Sequence, residues 1–185
     1  WPEIGGDAKR EGFVQYRDVL FRRRTVDLVF KREYVTDFKY ESNVHQFSFS
    51  FKPAEYEKNG SEKKYDVVFW AVESDPMRTE AFNLISDKYD CRKNGSIGGQ
   101  LFKNYRRRGK RFLEELSASK IAYNFRGVGW DTLRYWEVPG VGSLMITGHP
   151  RLKIPNNFRN KQNAVFCKND LSDLIALTDY YLSHD

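Results

Sequence analysis

One short run, Asp66-Val67-Val68-Phe69-Trp70-Ala71-Val72, does most to limit what this chain can become. Only its first residue is polar. A strand with one wet face alternates apolar and polar residues, whereas an unbroken apolar run needs cover on both faces, as in a parallel sheet sandwiched between helices. The downstream sequence keeps that rhythm. Ser74, Asp75 and Pro76 introduce a helix over 77–85, and a basic helix spans 102–116 with Gly109 inside it. A strand over 121–125, a helix over 131–138, and strands over 143–147 and 164–167 come next. Asp170 is placed to cap a last helix, where Leu171, Leu174, Ile175, Thr178, Tyr181 and Leu182 recur on one face. Alternating strands and helices predict an α/β fold: a Rossmann-like parallel sheet with flanking helices, wound in right-handed crossovers.

The first 62 residues read differently. They hold a charged, helix-like stretch over 16–24, a strand-like run over 26–30 and an alternating one over 44–51. The polar, turn-rich tract 55–64 after Lys52-Pro53 reads as a linker. The expected organisation is therefore a short N-terminal extension, 1–62, and a domain over 63–185. At 185 residues the chain can bury one good core with a small extension but hardly two full domains. The absence of an initiator Met points to a piece of a longer protein or a processed form.

Composition closes several routes. Aromatic residues make up 16% of the chain, too many for a disordered segment. No stretch approaches the roughly 20 apolar residues of a membrane span. Cys91 and Cys167 are too few for a disulfide framework and lack metal-ligand spacing, and Cys167, inside Ala164-Val165-Phe166-Cys167, reads as a buried free thiol. That suits a reducing, cytoplasmic setting. A net charge of +6 fits a phosphate-bearing ligand, nucleic acid or an anionic surface without separating them.

Ligands of such sheets bind beyond the C-terminal strand ends. There, strand residues Tyr123-Asn124-Phe125 run through Arg126 into Gly127-Val128-Gly129, and Asp131 and Thr132 open a helix. Glycines let backbone N–H groups approach an anion, a helix start favours negative charge, and Arg134 offers a fork of donors. A tight strand-to-helix turn explains the same glycines without a ligand. The glycines do not complete a dinucleotide fingerprint, and no P-loop motif is present. His149, after the 143–147 strand, is placed to approach a ligand, while His45 and His184 have no partner in sequence. Arg106-Arg107-Arg108, Lys110 and Arg111 form either a nucleic-acid face or a solvated surface.

The ordered series Ser119-Lys120-Ile121-Ala122-Tyr123-Asn124-Phe125, Gly127-Val128-Gly129-Trp130-Asp131-Thr132-Leu133-Arg134-Tyr135-Trp136-Glu137, Gly142-Ser143-Leu144-Met145-Ile146-Thr147, Ile154-Pro155-Asn156-Asn157-Phe158 and Asp170-Leu171-Ser172-Asp173-Leu174 resembles group 1 glycosyltransferases of the two-lobed GT-B type. Within them it is most similar to the bacterial spore-maturation (CgeB-type) branch. The resemblance covers about 120 residues and implies that 63–185 is the C-terminal, sugar-nucleotide-binding lobe. It implies a nucleotide sugar as donor substrate, a nucleoside diphosphate as product, no cofactor and no metal. It further implies that Glu137 holds the ribose hydroxyls, that Gly129, Trp130, Asp131, Thr132 and Arg134 surround the diphosphate and sugar, and that Arg78 is a second phosphate contact. Two features depart from the family pattern. The earlier of two glutamates eight positions apart falls on Gly129, and the acceptor-binding lobe is missing, so 1–62 reads as its remnant, with the lobe expected in cis or on a partner subunit. The catalytic base, the donor sugar and the acceptor, be it glycan, protein or small molecule, stay unassigned. From the residues alone, Glu137 could instead pair with Arg134 or Lys120. The competing function is a non-catalytic module binding nucleic acid or another polyanion.

Overall fold

The computed structural model describes residues 27–51, 62–71, 74–86, 88–89 and 109–184. Contacts group them into two compact units: residues 27–48 with Arg151–Pro155, and residues from Phe49 onward, without that short segment. The expected helix at 16–24, the linker as far as residue 61, Cys91, and the basic cluster Arg106-Arg107-Arg108 lie outside the described residues.

In the first unit, strands β1 (Val29–Lys31) and β2 (Val44–Gln46) pair in parallel, Val29 opposite Val44. Both are shorter than their sequence patterns. A ladder extends only as far as its partner, and β1 offers β2 three residues. Beyond Gln46 one more bond forms, Phe47 N–H to the Lys31 carbonyl at 2.9 Å. Val35 bridges Leu152 antiparallel, flanked by Lys153 N–H to the Tyr34 carbonyl at 2.8 Å.

The second unit is built on four parallel strands in consecutive order: β3 (Tyr65–Val68), β4 (Ser119–Asn124), β5 (Leu144–Gly148) and β6 (Val165–Cys167). Helices α1 (Pro76–Ser86) and α4 (Leu174–Ser183) pack together on one face. Helices α2 (Lys110–Ser117) and α3 (Leu133–Gly140) pack together on the other. The result is a three-layer, Rossmann-like α/β arrangement. The side-chain period of a strand divides the core accordingly. Ile121, Tyr123 and Phe125 point into the α1/α4 layer with Phe69, Phe82, Ile85, Ile146 and Leu174. Buried Ala122 and Asn124, with Met145 and Thr147 on β5, occupy the alternate positions. Phe69, Trp70 and Ala71 are buried although β3 ends at Val68, so the apolar run marks burial on both faces beyond the paired strand. Cys167 is a fully buried free thiol, and burial pushes its pKa up to about 12.

Three helix boundaries correct the sequence expectation. Gly109 is not inside the basic helix but precedes α2, at φ +61°, a conformation open to glycine. The helix expected over 131–138 instead starts at Leu133 and runs on through Pro139 to Gly140, and Val141 N–H bonds the Glu137 carbonyl at 3.0 Å. Asp170 does not cap α4; it accepts Ser172 N–H at 3.0 Å, and the cap position falls to Asp173. The reason is local: Leu171 turns to φ +57° and buries its side chain, which separates Asp170 from the helix start.

At the N-terminal ends of the strands, Lys63 Nζ donates to the carbonyls of Ser117, Ser119 and Gly142 at 2.8, 2.9 and 3.0 Å. One ammonium thereby ties together the starts of β3, β4 and β5. Lys63→Met keeps the stem and removes the donors, and should cost about 1–2 kcal/mol, part of it offset by water at this partly exposed place. Thermal unfolding checks this. An unchanged melting temperature would mean that solvent serves those carbonyls equally well.

No helix among the described residues is long and apolar enough to cross a membrane.

Candidate functional site

The segments leaving the C-terminal ends of all four strands meet through a continuous series of contacts. After β3, Asp75 accepts Met77 N–H at 2.9 Å and so starts α1. One turn on, Arg78 is buried, with 7% of its surface exposed. Its Nε and Nη2 donate to the Phe125 carbonyl at 3.2 and 3.0 Å, Nε also to the Arg126 carbonyl at 2.8 Å, and Nη1 to Ser74 Oγ at 3.3 Å. Arg78 thus holds the end of β4 from behind. A Cβ on Gly127 would stand 2.8 Å from Arg78 Nη2 and 3.1 Å from Ser74 Oγ, so this glycine is required by close packing. Its own N–H bonds the Gly129 carbonyl at 2.9 Å and closes the turn on itself.

Arg126 pairs with Asp75, Nε to Oδ2 at 2.8 Å, and its guanidinium lies 5.6 Å from the Trp130 ring centroid. Trp130 in turn reaches the end of β5, where a Cβ on Gly148 would sit 3.3 Å from its Cζ3 and 2.8 Å from Asn169 Oδ1. Asn169, beyond β6, grips the backbone of His149 twice: it accepts His149 N–H at 2.8 Å and donates to the His149 carbonyl at 3.2 Å. The exposed His149 imidazole stacks on Phe166 with centroids 5.0 Å apart. Contacts therefore run without a gap from β3 through β4 and β5 to β6.

The start of α3 is occupied internally. Asp131 is 5% exposed, and its two carboxylate oxygens lie 3.2 and 3.1 Å from Phe49 N, whose N–H they accept. Thr132 is the N-cap. Its hydroxyl accepts Tyr135 N–H at 3.3 Å and donates to Asn124 Oδ1 at 2.8 Å, while Asn124 Nδ2 donates to Thr147 Oγ1 at 3.2 Å. These two residues fix the helix start to the sheet.

Further along α3 stands Glu137. Its half-buried carboxylate makes no hydrogen bond or ion pair with a described residue. Burial raises its pKa above the ordinary carboxylate value, and the charge of nearby Arg134 offsets part of that rise. Lys120, the other partner considered from sequence, pairs with Asp66 at 3.2 Å. A carboxylate left in this state lacks the donors that normally justify its burial.

Of the residues singled out from sequence, Gly127, Gly129, Trp130 and His149 join the strand-end series, and Arg78 braces it. Asp131 and Thr132 hold the fold beside it, and Arg134 and Glu137 lie further along α3, the charge of one acting on the other without an ion pair between them. Sequence reasoning passed over Arg126, Asp75, Gly148 and Asn169. Arg126 stood next to the glycine turn and Asp75 before a helix, so position gave a signal for both; nothing in the sequence marked the clamp by Asn169. Compared with known proteins, the chain matches no family model and no curated protein.

Proposed function

We propose that the C-terminal edge of this sheet binds a nucleotide sugar and that the chain is the donor-binding lobe of a glycosyltransferase. The observation that carries the reading is the unbroken series of contacts across four strand ends, from Asp75 through Arg126, Trp130 and Gly148 to Asn169. Crevices outside the carboxyl ends of parallel strands are where α/β sheets hold their ligands. The step from nucleotide binding to glycosyl transfer rests on the resemblance of residues 119–174 to group 1 enzymes. In that reaction the bond between the sugar and the diphosphate breaks, a bond to an acceptor oxygen forms, and the acceptor gives up its proton. Cationic donors at the strand ends would steady the charge that gathers on the departing diphosphate. Glu137 would accept the ribose hydroxyls, which supply the donors its carboxylate lacks.

Calorimetric titration with uridine, guanosine, adenosine and thymidine diphosphates tests this. At least one should bind, and binding should survive a chelator, since arginine donors serve the phosphates. Failure of all four, or binding abolished by the chelator, would overturn the reading.

A further inference from the structure

Arg126 contacts Asp75 in a way that leaves most of its donors unspent. Nε lies 2.8 Å from Asp75 Oδ2 but its N–H is not aligned on that oxygen, so the contact is an ion pair more than a hydrogen bond. Neither Nη makes a hydrogen bond to a described residue. The guanidinium rests against the Trp130 ring, and 28% of the side chain remains exposed, against 10% for Asp75. An arginine present only to close an ion pair gains most by turning its Nη fork onto both carboxylate oxygens. Arg126 instead offers one edge to Asp75, one face to Trp130, and keeps the fork for something else.

We propose that the Nη fork of Arg126 binds a phosphate or diphosphate oxyanion, and that Asp75 is a positioning residue that holds the fork in place. Two features favour this ligand class. Planar, two-point donation matches the oxygens of phosphate, a geometry that lysine does not reproduce. The fork stands beside the Gly127–Gly129 turn at the C-terminal end of β4, the edge at which parallel α/β sheets hold their ligands. Behind the turn, the buried Arg78 guanidinium donates to the Phe125 and Arg126 carbonyls and to Ser74 Oγ, so those donors are turned to the protein. The role given from sequence to Arg78 as a phosphate contact thereby passes to Arg126. This deepens the nucleotide reading and rests on it for the nucleoside, though not for the anion.

The test uses two probes, inorganic pyrophosphate and the tightest-binding nucleoside diphosphate, titrated into the parent, Arg126→Gln, Arg126→Lys and Asp75→Asn. Arg126→Gln should weaken both probes about 10- to 100-fold, as expected for loss of a charged two-point contact. Arg126→Lys keeps the charge without the fork and should recover only part of the affinity; it also serves if the glutamine variant folds poorly. Asp75→Asn retains an acceptor for Met77 N–H, so it should fold, bind more weakly than the parent, and have no further effect when added to Arg126→Gln. Parent binding of pyrophosphate but of no nucleoside diphosphate leaves this inference standing and removes the nucleotide reading. No parent binding of either probe, Arg126 variants that match the parent, or Asp75→Asn acting equally with and without Arg126 would each overturn it.

Discussion

An Arg78→Met variant should lose about 3 kcal/mol of stability and melt about 6–12 °C below the parent. Methionine keeps much of the stem volume, so the loss isolates the guanidinium. Removing it strips the Phe125 and Arg126 carbonyls of charged donors at 2.8–3.2 Å, in a place where water has little access. A buried acceptor left unmade costs its full desolvation, which is why the effect exceeds that of the more exposed Lys63. A double-mutant cycle sharpens the test. In the parent, Gly127→Ala puts a methyl group 2.8 Å from Arg78 Nη2 and must displace it. In the Arg78→Met background the same methyl meets a flexible thioether, so the cost of Gly127→Ala should shrink. Additive costs in urea unfolding would show that the two residues do not meet as described.

The parallel α/β core was legible because it depends on signals spread over many residues. The apolar run 66–72 and the 3.6-residue recurrence from Leu171 to Leu182 are each too long to arise from local accident. Boundaries were less legible, for reasons that lie outside the segment being read. Pro139 stays in α3 although it has no N–H to give, and Val141 N–H on the Glu137 carbonyl closes the turn around it. Leu171 takes a left-handed backbone so that its side chain reaches the core, and no local preference announces that. The strand-end turn was readable from Gly127 and Gly129, but the purpose of Gly127 was not, since it depends on Arg78, distant in sequence. Asn169 is a further case: its two bonds to His149 join residues twenty positions apart, with no spacing rule to connect them.

Glu137→Gln should weaken nucleoside diphosphate binding by about 1.5–3 kcal/mol, roughly 10- to 150-fold, without lowering stability at neutral pH. The stability half follows from the sign of the pKa shift. Burial raises the carboxyl's pKa in the folded chain above its unfolded value. Such a group stabilises the fold below its unfolded pKa, and that contribution is lost as pH rises through the folded pKa. Above the folded pKa the ionised carboxylate is therefore a cost to the unliganded protein, and the neutral amide removes it. The affinity half follows from the donors. Ribose hydroxyls bonded to the carboxylate favour its charged form, so nucleotide binding at pH values between the unfolded and folded pKa should release protons, and in the glutamine variant this position should release none.

Calorimetry of the parent and Glu137→Gln with the same nucleoside diphosphate, set beside their melting curves, tests the central claim most directly. The account predicts an unchanged or raised melting temperature together with affinity lost by at least tenfold. A variant that melts lower and binds equally well would make Glu137 a structural partner of Arg134 and would contradict the nucleotide-binding role given to this helix.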